Sequence, residues 1–435
     1  MELVKTFSKA WKIQEIRQKI IFTLLMLLVF RIGSNIPVPG INREYLAQMF
    51  NGQTGLLDLF DLFSGGAFSN FTIFALSITP YVTASIIVQL LTIAFPYFER
   101  LAKEGTEGRK KMATITRYMT VVLGLIQAIG LTVGLFRRAI VDQSAFNMIT
   151  IIIVLTAGTA FLMWLGEQIN EYGVGNGISM IIFAGIVARL PSAVRSVATQ
   201  VKDGAVSIVA VIVLLIAAVL VTMAIIMMQQ GVRKIPVQYA KRVVGRKMYG
   251  GQSTHIPMKV NQAGVIPIIF SISLLQFPLT ITYFFPNSEF TDFVTKYLSP
   301  SGNPGVWIYG ALNIVLTLFF TYFYTAIMFN PADVADNMRQ NGGFIPGIRP
   351  GVATVEYLSK IMSRLCFAGG VFLAAVATIP TIVSVFTPFN FSFGGTSLLI
   401  MVGVALDIVQ QLENQMLMRN YQGFLKSSEG RCPGL

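Results

Sequence analysis

From Phe71 to Phe95 the chain runs for 25 residues without a charged side chain. A helix crosses the hydrocarbon core of a bilayer in about 20 such residues. The run therefore commits the fold to a membrane. Comparable runs recur at about 20–36, 112–136, 148–166, 178–190, 206–228, 263–285, 306–329, 365–386 and 396–412. Over 435 residues, 54% are apolar and 12% charged, and the mean hydropathy is +0.66. The chain reads as an all-α polytopic membrane protein with ten transmembrane helices. The run after Lys19 leads into Ile36-Pro37-Val38-Pro39-Gly40 rather than a small-residue cleavage site, so it reads as a retained span.

Just ahead of span two lies a different kind of segment. Leu56 to Phe63 is apolar and helix-prone but carries Asp58 and Asp61, and it ends at Ser64-Gly65-Gly66. It is too short and too charged to span. The pattern predicts a half-inserted helix, a glycine hinge and then a full span. Such backbone survives in a membrane only inside protein or a water-filled cavity. Two readings stand: a movable plug, or a re-entrant loop that only packs.

Ten spans place both termini on one side. On that side fall 25 of the 33 Lys and Arg residues, including those of a basic amphipathic leader over 1–19, two long loops (229–260 and 330–363) and the tail 413–435. The positive-inside rule makes that side cytoplasmic. Five spans over 20–190 and five over 206–412 also admit two inverted, pseudosymmetric halves around a central pore.

Spans two, four, six, seven, eight and nine carry no Asp, Glu, Lys, Arg or His. An ion-coupled transporter keeps ionisable groups near the midplane, so the inverted-repeat secondary transporter is the weaker reading. Two cysteines and one histidine build no disulfide framework or metal set. No nucleotide-binding glycine loop or hydrolytic set is present, so no enzyme and no cofactor are expected. Ile78 and Val82 share one helix face, as do Ile178 and Ile182. Such stripes are either ordinary core or a pore wall. Pro80 and Pro267 are placed to kink spans two and seven. Thr79, Thr83, Ser85, Gln89 and Gln127 either bond across helices or line a wet path.

Gln229 to Val260 has seven basic residues and no acid, with strand-like alternation and a turn near Gly245, which predicts a β-hairpin. The second loop carries GGFIPGIRPG, with Arg349 near its tip. These charges either fix topology or dock an anionic partner such as ribosomal RNA or an acidic motor surface.

The strings FSGGAFSNFTIFALSITPYVTASIIVQLL, GTAFLMWLGEQI, GVGNGISMIIFAGIV, GGQSTHIPMKVNQAGVIPIIF, FNPADVADNM and GFIPGIRPG closely resemble the bacterial SecY family, the channel-forming subunits of the Sec protein translocase. The resemblance runs from about Ile20 to Gly423. It implies an hourglass pore that opens sideways between spans two, three, seven and eight, translocating unfolded signal-bearing preproteins and releasing apolar segments into the lipid bilayer. It implies a pore ring of Ile78, Val82, Ile178, Ile182, Ile269 and Ile400, where Val82 departs mildly from the usual isoleucine. The plug falls at 56–68, including Leu57, Asp58, Leu59, Phe60, Asp61, Leu62, Phe63, Gly65 and Gly66. Lateral-gate positions are Thr83, Gln127 and Phe277. Docking of the SecA ATPase motor and the ribosome falls to Lys241, Arg242, Arg246, Lys247 and above all Arg349. SecE and SecG are the implied small membrane subunits, and a bacterial plasma membrane the implied location. The tail Ser427 to Leu435 departs from the pattern and is assigned no function.

Overall fold

The computed structural model describes residues 11, 13–42, 44–46, 61, 64–204, 207–239, 242–244, 247–249, 253–282, 284–285, 288–298, 304–386 and 395–429. Its helices are α1 (Gln14–Gly33), α2 (Thr79–Ala94), α3 (Pro96–Lys103), α4 (Thr106–Ile129), α5 (Ala145–Tyr172), α6 (Gly177–Lys202), α7 (Ile208–Gln230), α8 (Ile266–Thr282), α9 (Glu289–Tyr297), α10 (Gly305–Met328), α11 (Pro331–Gln340), α12 (Val352–Phe386) and α13 (Gly395–Glu429). A π-helical turn, Gly130–Leu135, extends α4. Helices occupy all ten places where the sequence predicts a span. Among the described residues, seven are long and apolar enough to cross a bilayer, or eight if α2 and α3, bent by 101°, count as one span. Helix α1 falls short because Glu15, Arg17, Lys19 and Arg31 lie within it, and α8 because it has 17 residues. The chain is a multi-pass, mainly helical membrane protein.

Span two differs from its expectation. The helix begins at Thr79, not Phe71, and residues 64–78 form a chain of turns with one helical residue at Ser64. Pro80 therefore sits in the first helical turn, where its missing N–H costs nothing. Pro267 sits likewise at the second residue of α8, so neither proline kinks a helix interior; prolines inside helices include Pro191 in α6, Pro278 in α8 and Pro380 in α12. Helix α3 is amphipathic, and the 2.6 Å hydrogen bond from Lys103 holds the Glu99 carboxyl below the usual carboxylate range.

The chain divides into two compact units. The first comprises Met1–Ile208, Ser273–Trp307 and Ile400–Leu435. One core packs Phe68, Phe71, Ala75, Leu131, Phe136, Ile151 and Leu155, with Phe71 and Phe136 ring centroids 4.4 Å apart. A second core joins Ile16 and Ile20 of α1 to Val174 and Leu412. There the α5–α6 turn is bolted from both ends of the chain. The Val174 N–H donates to Thr23 Oγ1 (3.0 Å) and the Gly175 N–H to Gln411 Oε1 (2.9 Å).

The second unit comprises Val209–Ile272 and Ile308–Leu399. Strand β1 (Val232–Tyr239) pairs antiparallel with β4 (Ser253–Lys259), and with the short β5 (Gly343–Phe344) on its other edge. Strands β2 (Arg242–Val244) and β3 (Lys247–Tyr249) form the hairpin, joined across 245–246. The predicted hairpin is thus present, and the second loop folds against it. Ile235 and Val237 point to one face of β1, as the period of two requires. They pack with Met258, Ala335 and Met338 of α11, Ile345, Leu358 and Ile361. A third feature of this unit is a buried polar ladder at helical spacing on α10: Asn313, Thr317, Thr321 and Thr325. Asn313 Oδ1 accepts from Ser271 Oγ (2.9 Å) and Thr317 Oγ1 (3.1 Å).

Candidate functional site

The described residues from Asp61 to Ile78, which include the expected start of span two, are held by a dense set of hydrogen bonds. Asp61 Oδ1 accepts from Ser64 Oγ (2.9 Å) and from the Ser69 N–H (3.1 Å), while Ser64 Oγ accepts from the Phe68 N–H (3.0 Å). The carbonyl of Ala67 takes the Thr72 N–H (2.9 Å). The loop after α1 supplies further partners. The Val38 N–H reaches Phe71 O (3.0 Å), and the Ile73 N–H reaches Ile36 O (3.1 Å). Backbone groups that cannot meet water are thus satisfied without a helix. Phe71 (φ 45) and Ser77 (φ 53) sit in the left-handed region, which costs a non-glycine residue about 1–3 kcal/mol. Both are buried, so the surrounding packing holds them there.

This segment rests on α6. An added Cβ on Gly65 (φ 64) would come within 2.7 Å of the Gly185 Cα, so two glycines allow backbone to meet backbone. One helical turn on, Arg189 Nη2 lies 3.2 Å from Asp61 Oδ2, the side chains 19% and 3% exposed. Arg31 Nη1 donates to the Gly65 carbonyl at 3.2 Å. Arg189 Nη1 is buried with no partner among the described residues. Two arginines from different helices thus converge on the base of the short segment. Sequence reasoning did not single out Arg189 or Gly185. A signal was available: an arginine in an apolar helix needs a named counter-charge, and Asp58 and Asp61 are the nearby carboxylates in an otherwise apolar stretch.

Of the predicted plug residues, Asp61, Gly65 and Gly66 are placed as above; Leu57, Asp58, Leu59, Phe60, Leu62 and Phe63 lie outside the described residues. In the predicted ring, Ile78, Val82, Ile182 and Ile400 are buried in the first unit and Ile178 is half-buried against Gly166. Ile269 is buried in the second unit. At the predicted gate, Thr83 is buried and bonds back to Thr79 O (3.0 Å), and Gln89 reaches Ser85 at 3.5 Å, so these polar groups stay on their own helix. Phe277 is exposed. Buried Gln127 lines a cavity of about 20 Å³, room for one water, with Thr79, Thr280, Phe68, Leu76 and Leu131. Of the docking positions, Arg349 is exposed between β5 and α12, its carbonyl accepting from Thr354 Oγ1 (3.0 Å). Arg242 and Lys247 stand at the open and turn ends of the β2–β3 hairpin, and Lys241 and Arg246 lie outside the described residues. Among the described residues no cluster of His, Cys, Asp or Glu is arranged to hold a metal.

Comparison with known proteins agrees with this architecture. The SecY family model matches residues 72–409. The protein translocase subunit SecY of Halalkalibacterium halodurans is 48% identical, covering 98% of this chain and 100% of its own length. The Bacillus subtilis SecY subunit is 47% identical with the same coverage. In structure, the chain is similar to a solved protein-conducting channel, with TM-score 0.66 and 20% identity over 92% of each chain. It is similar too to Sec61 in the canine ribosome-channel complex from the endoplasmic reticulum, with TM-score 0.60 and 17% identity over 92% of each chain. Matched over most of its length by the family model, and nearly half identical to subunits it spans end to end, the chain belongs to the SecY family of protein translocase subunits.

Proposed function

We infer that this chain is the protein-conducting subunit of a Sec translocase: a channel, not an enzyme. It passes unfolded, signal-bearing preproteins across a bacterial plasma membrane and lets apolar segments leave sideways into lipid. The observation that carries the reading is the segment 61–78. Its part from Phe71 onward is apolar enough to be counted into a span. Instead it is folded in, hydrogen-bonded through turns and gripped by Arg31 and Arg189. That is the construction of a seal that closes a pathway. A secondary transporter is not favoured, because the relatives are translocase subunits and most spans lack ionisable groups.

The finer assignments follow from the same reading. Ten spans form two inverted halves, 20–190 and 206–412, with the leader 1–19, both long loops and the tail 413–435 in the cytoplasm. Ile78, Val82, Ile178, Ile182, Ile269 and Ile400 form an aliphatic collar that dewets when shut and selects no chemistry in the passing chain. Thr83, Gln127 and Phe277 line the lateral exit. Residues 56–68 are the plug. A signal sequence, being an apolar helix, opens the gate by partitioning toward lipid. SecE and SecG complete the membrane complex. SecA or a ribosome docks on Lys241, Arg242, Arg246, Lys247 and Arg349, and supplies the driving energy. The test is reconstitution with SecE and SecA, with and without ATP, using a signal-bearing preprotein. ATP-dependent protection of the preprotein from protease is expected. Its absence would overturn the reading.

A further inference from the structure

The convergence of charge on the plug base has a specific role to assign. We propose that Arg189 is a positioning residue for the plug: its ion pair with Asp61 holds the plug base on α6 and sets how strongly a signal sequence must bind to open the channel. This rests on reading residues 56–68 as the plug. Four observations meet at one place. Asp61 is nearly fully buried, and its two oxygens divide the work. Oδ1 closes the local turn through Ser64 and the Ser69 N–H, while Oδ2 faces Arg189 at 3.2 Å. Gly65 lies backbone to backbone on Gly185, one turn before Arg189. Arg31 holds the Gly65 carbonyl from α1.

The division of Asp61 separates folding from latching. The Oδ1 bonds shape the segment wherever it sits, since Ser64 and Ser69 belong to the same segment. Among the described residues, the Oδ2 bond is the ion pair that ties it to another helix. A plug that leaves its seat must break that pair, and a buried charge parted from its partner is strongly disfavoured. The pair therefore weights the closed state. A signal sequence shifts the equilibrium by no more than its preference for the open state. Weakening the pair should thus let weaker signals suffice.

The test uses the reconstituted complex carrying Arg189→Gln, Asp61→Asn, both together, and Arg189→Lys. Asp61→Asn keeps an acceptor for Ser64 and Ser69 while removing the charge. The readouts are closed-state ion conductance in planar bilayers, passage of a preprotein with a defective signal, and abundance in the membrane. Each neutral single variant should raise conductance and defective-signal passage about tenfold. The double variant should be no leakier than either single, because the two share one interaction. Arg189→Lys should lie nearer the parent, since it keeps the charge. Parental conductance and selectivity in Arg189→Gln at parental abundance would overturn the latch. So would a double variant showing the full product of both effects, or an equal loss of abundance in all four with no gain in conductance. A parent that fails ATP-driven protection would instead overturn the channel reading, whereas a working parent with a silent Arg189→Gln fells only the latch.

Discussion

Two parts of this molecule do not span, and they are held by opposite means. The sheet module of the second unit has an apolar core of its own. Ile235, Val237, Met258, Leu358 and Ile361 are buried, and Arg349 stands exposed at its rim. The segment 61–78 of the first unit is fixed by directed contacts: two arginines, a glycine–glycine approach and a set of turn hydrogen bonds, with two residues in costly backbone conformations. A core held by many small contacts spreads the load, and losing one methylene costs about 1 kcal/mol. A seat held by a few directed contacts gives way abruptly. Under the proposed function, the first would serve as a platform and the second as a closure.

The sharpest way to break the contrast is at the rim. Arg349→Glu removes an attraction and adds a repulsion, leaving the core beneath untouched. ATP-driven translocation should fall to background, at least a hundredfold, with normal abundance and unchanged closed-state conductance. Normal translocation would reduce Arg349 to a topology charge. Next in size is deletion of residues 57–63. It should give a large ion leak in planar bilayers while driven translocation persists. An electrically silent deletion would return this stretch to mere packing.

Two smaller changes sharpen the comparison. Gly65→Ala forces a Cβ to within 2.7 Å of Gly185 and keeps a left-handed φ. It should cost about 2 kcal/mol of seating and give an intermediate leak, with the sheet module unaffected. Ile235→Val in the module core should cost about 1 kcal/mol. Hydrogen exchange should rise across β1 and β4 only, without a change in conductance. If Ile235→Val leaked as much as Gly65→Ala, the two regions would not be separately built.

Much of the helical plan was legible because apolar runs of span length have few other fates. The β-hairpin over 229–260 was legible for a similar reason: Ile235 and Val237 alternate with polar neighbours. Residues 71–78 were not legible. Hydropathy cannot tell a membrane helix from turns buried in protein, because both exclude charge. What separates them is where the backbone bonds go, and here Ile73 bonds to Ile36 and Phe71 to Val38. The roles of Pro80 and Pro267 were misread for the same reason. A proline's effect depends on where its helix begins, which the apolar run does not mark. The contacts of Asp61 with Arg189 and of Gly65 with Gly185 were hidden by distance along the chain. The pairing of charges 128 residues apart is a matter of packing, although an unpaired arginine in an apolar helix was itself the clue.

The turn between α5 and α6 bears on how the protein is made. Its Val174 N–H is held by Thr23 and its Gly175 N–H by Gln411, partners 151 residues earlier and 236 residues later. Synthesis runs from the N-terminus, so Thr23 is in place long before Gln411 exists. Until α13 arrives, Gly175 lacks its side-chain acceptor and Val174 lacks Leu412 beside it. The joint at Val174 and Gly175 is therefore completed only after α13 has been made. A chain interrupted before α13 would keep the Thr23 bond but leave the joint at residues 174–175 unfinished.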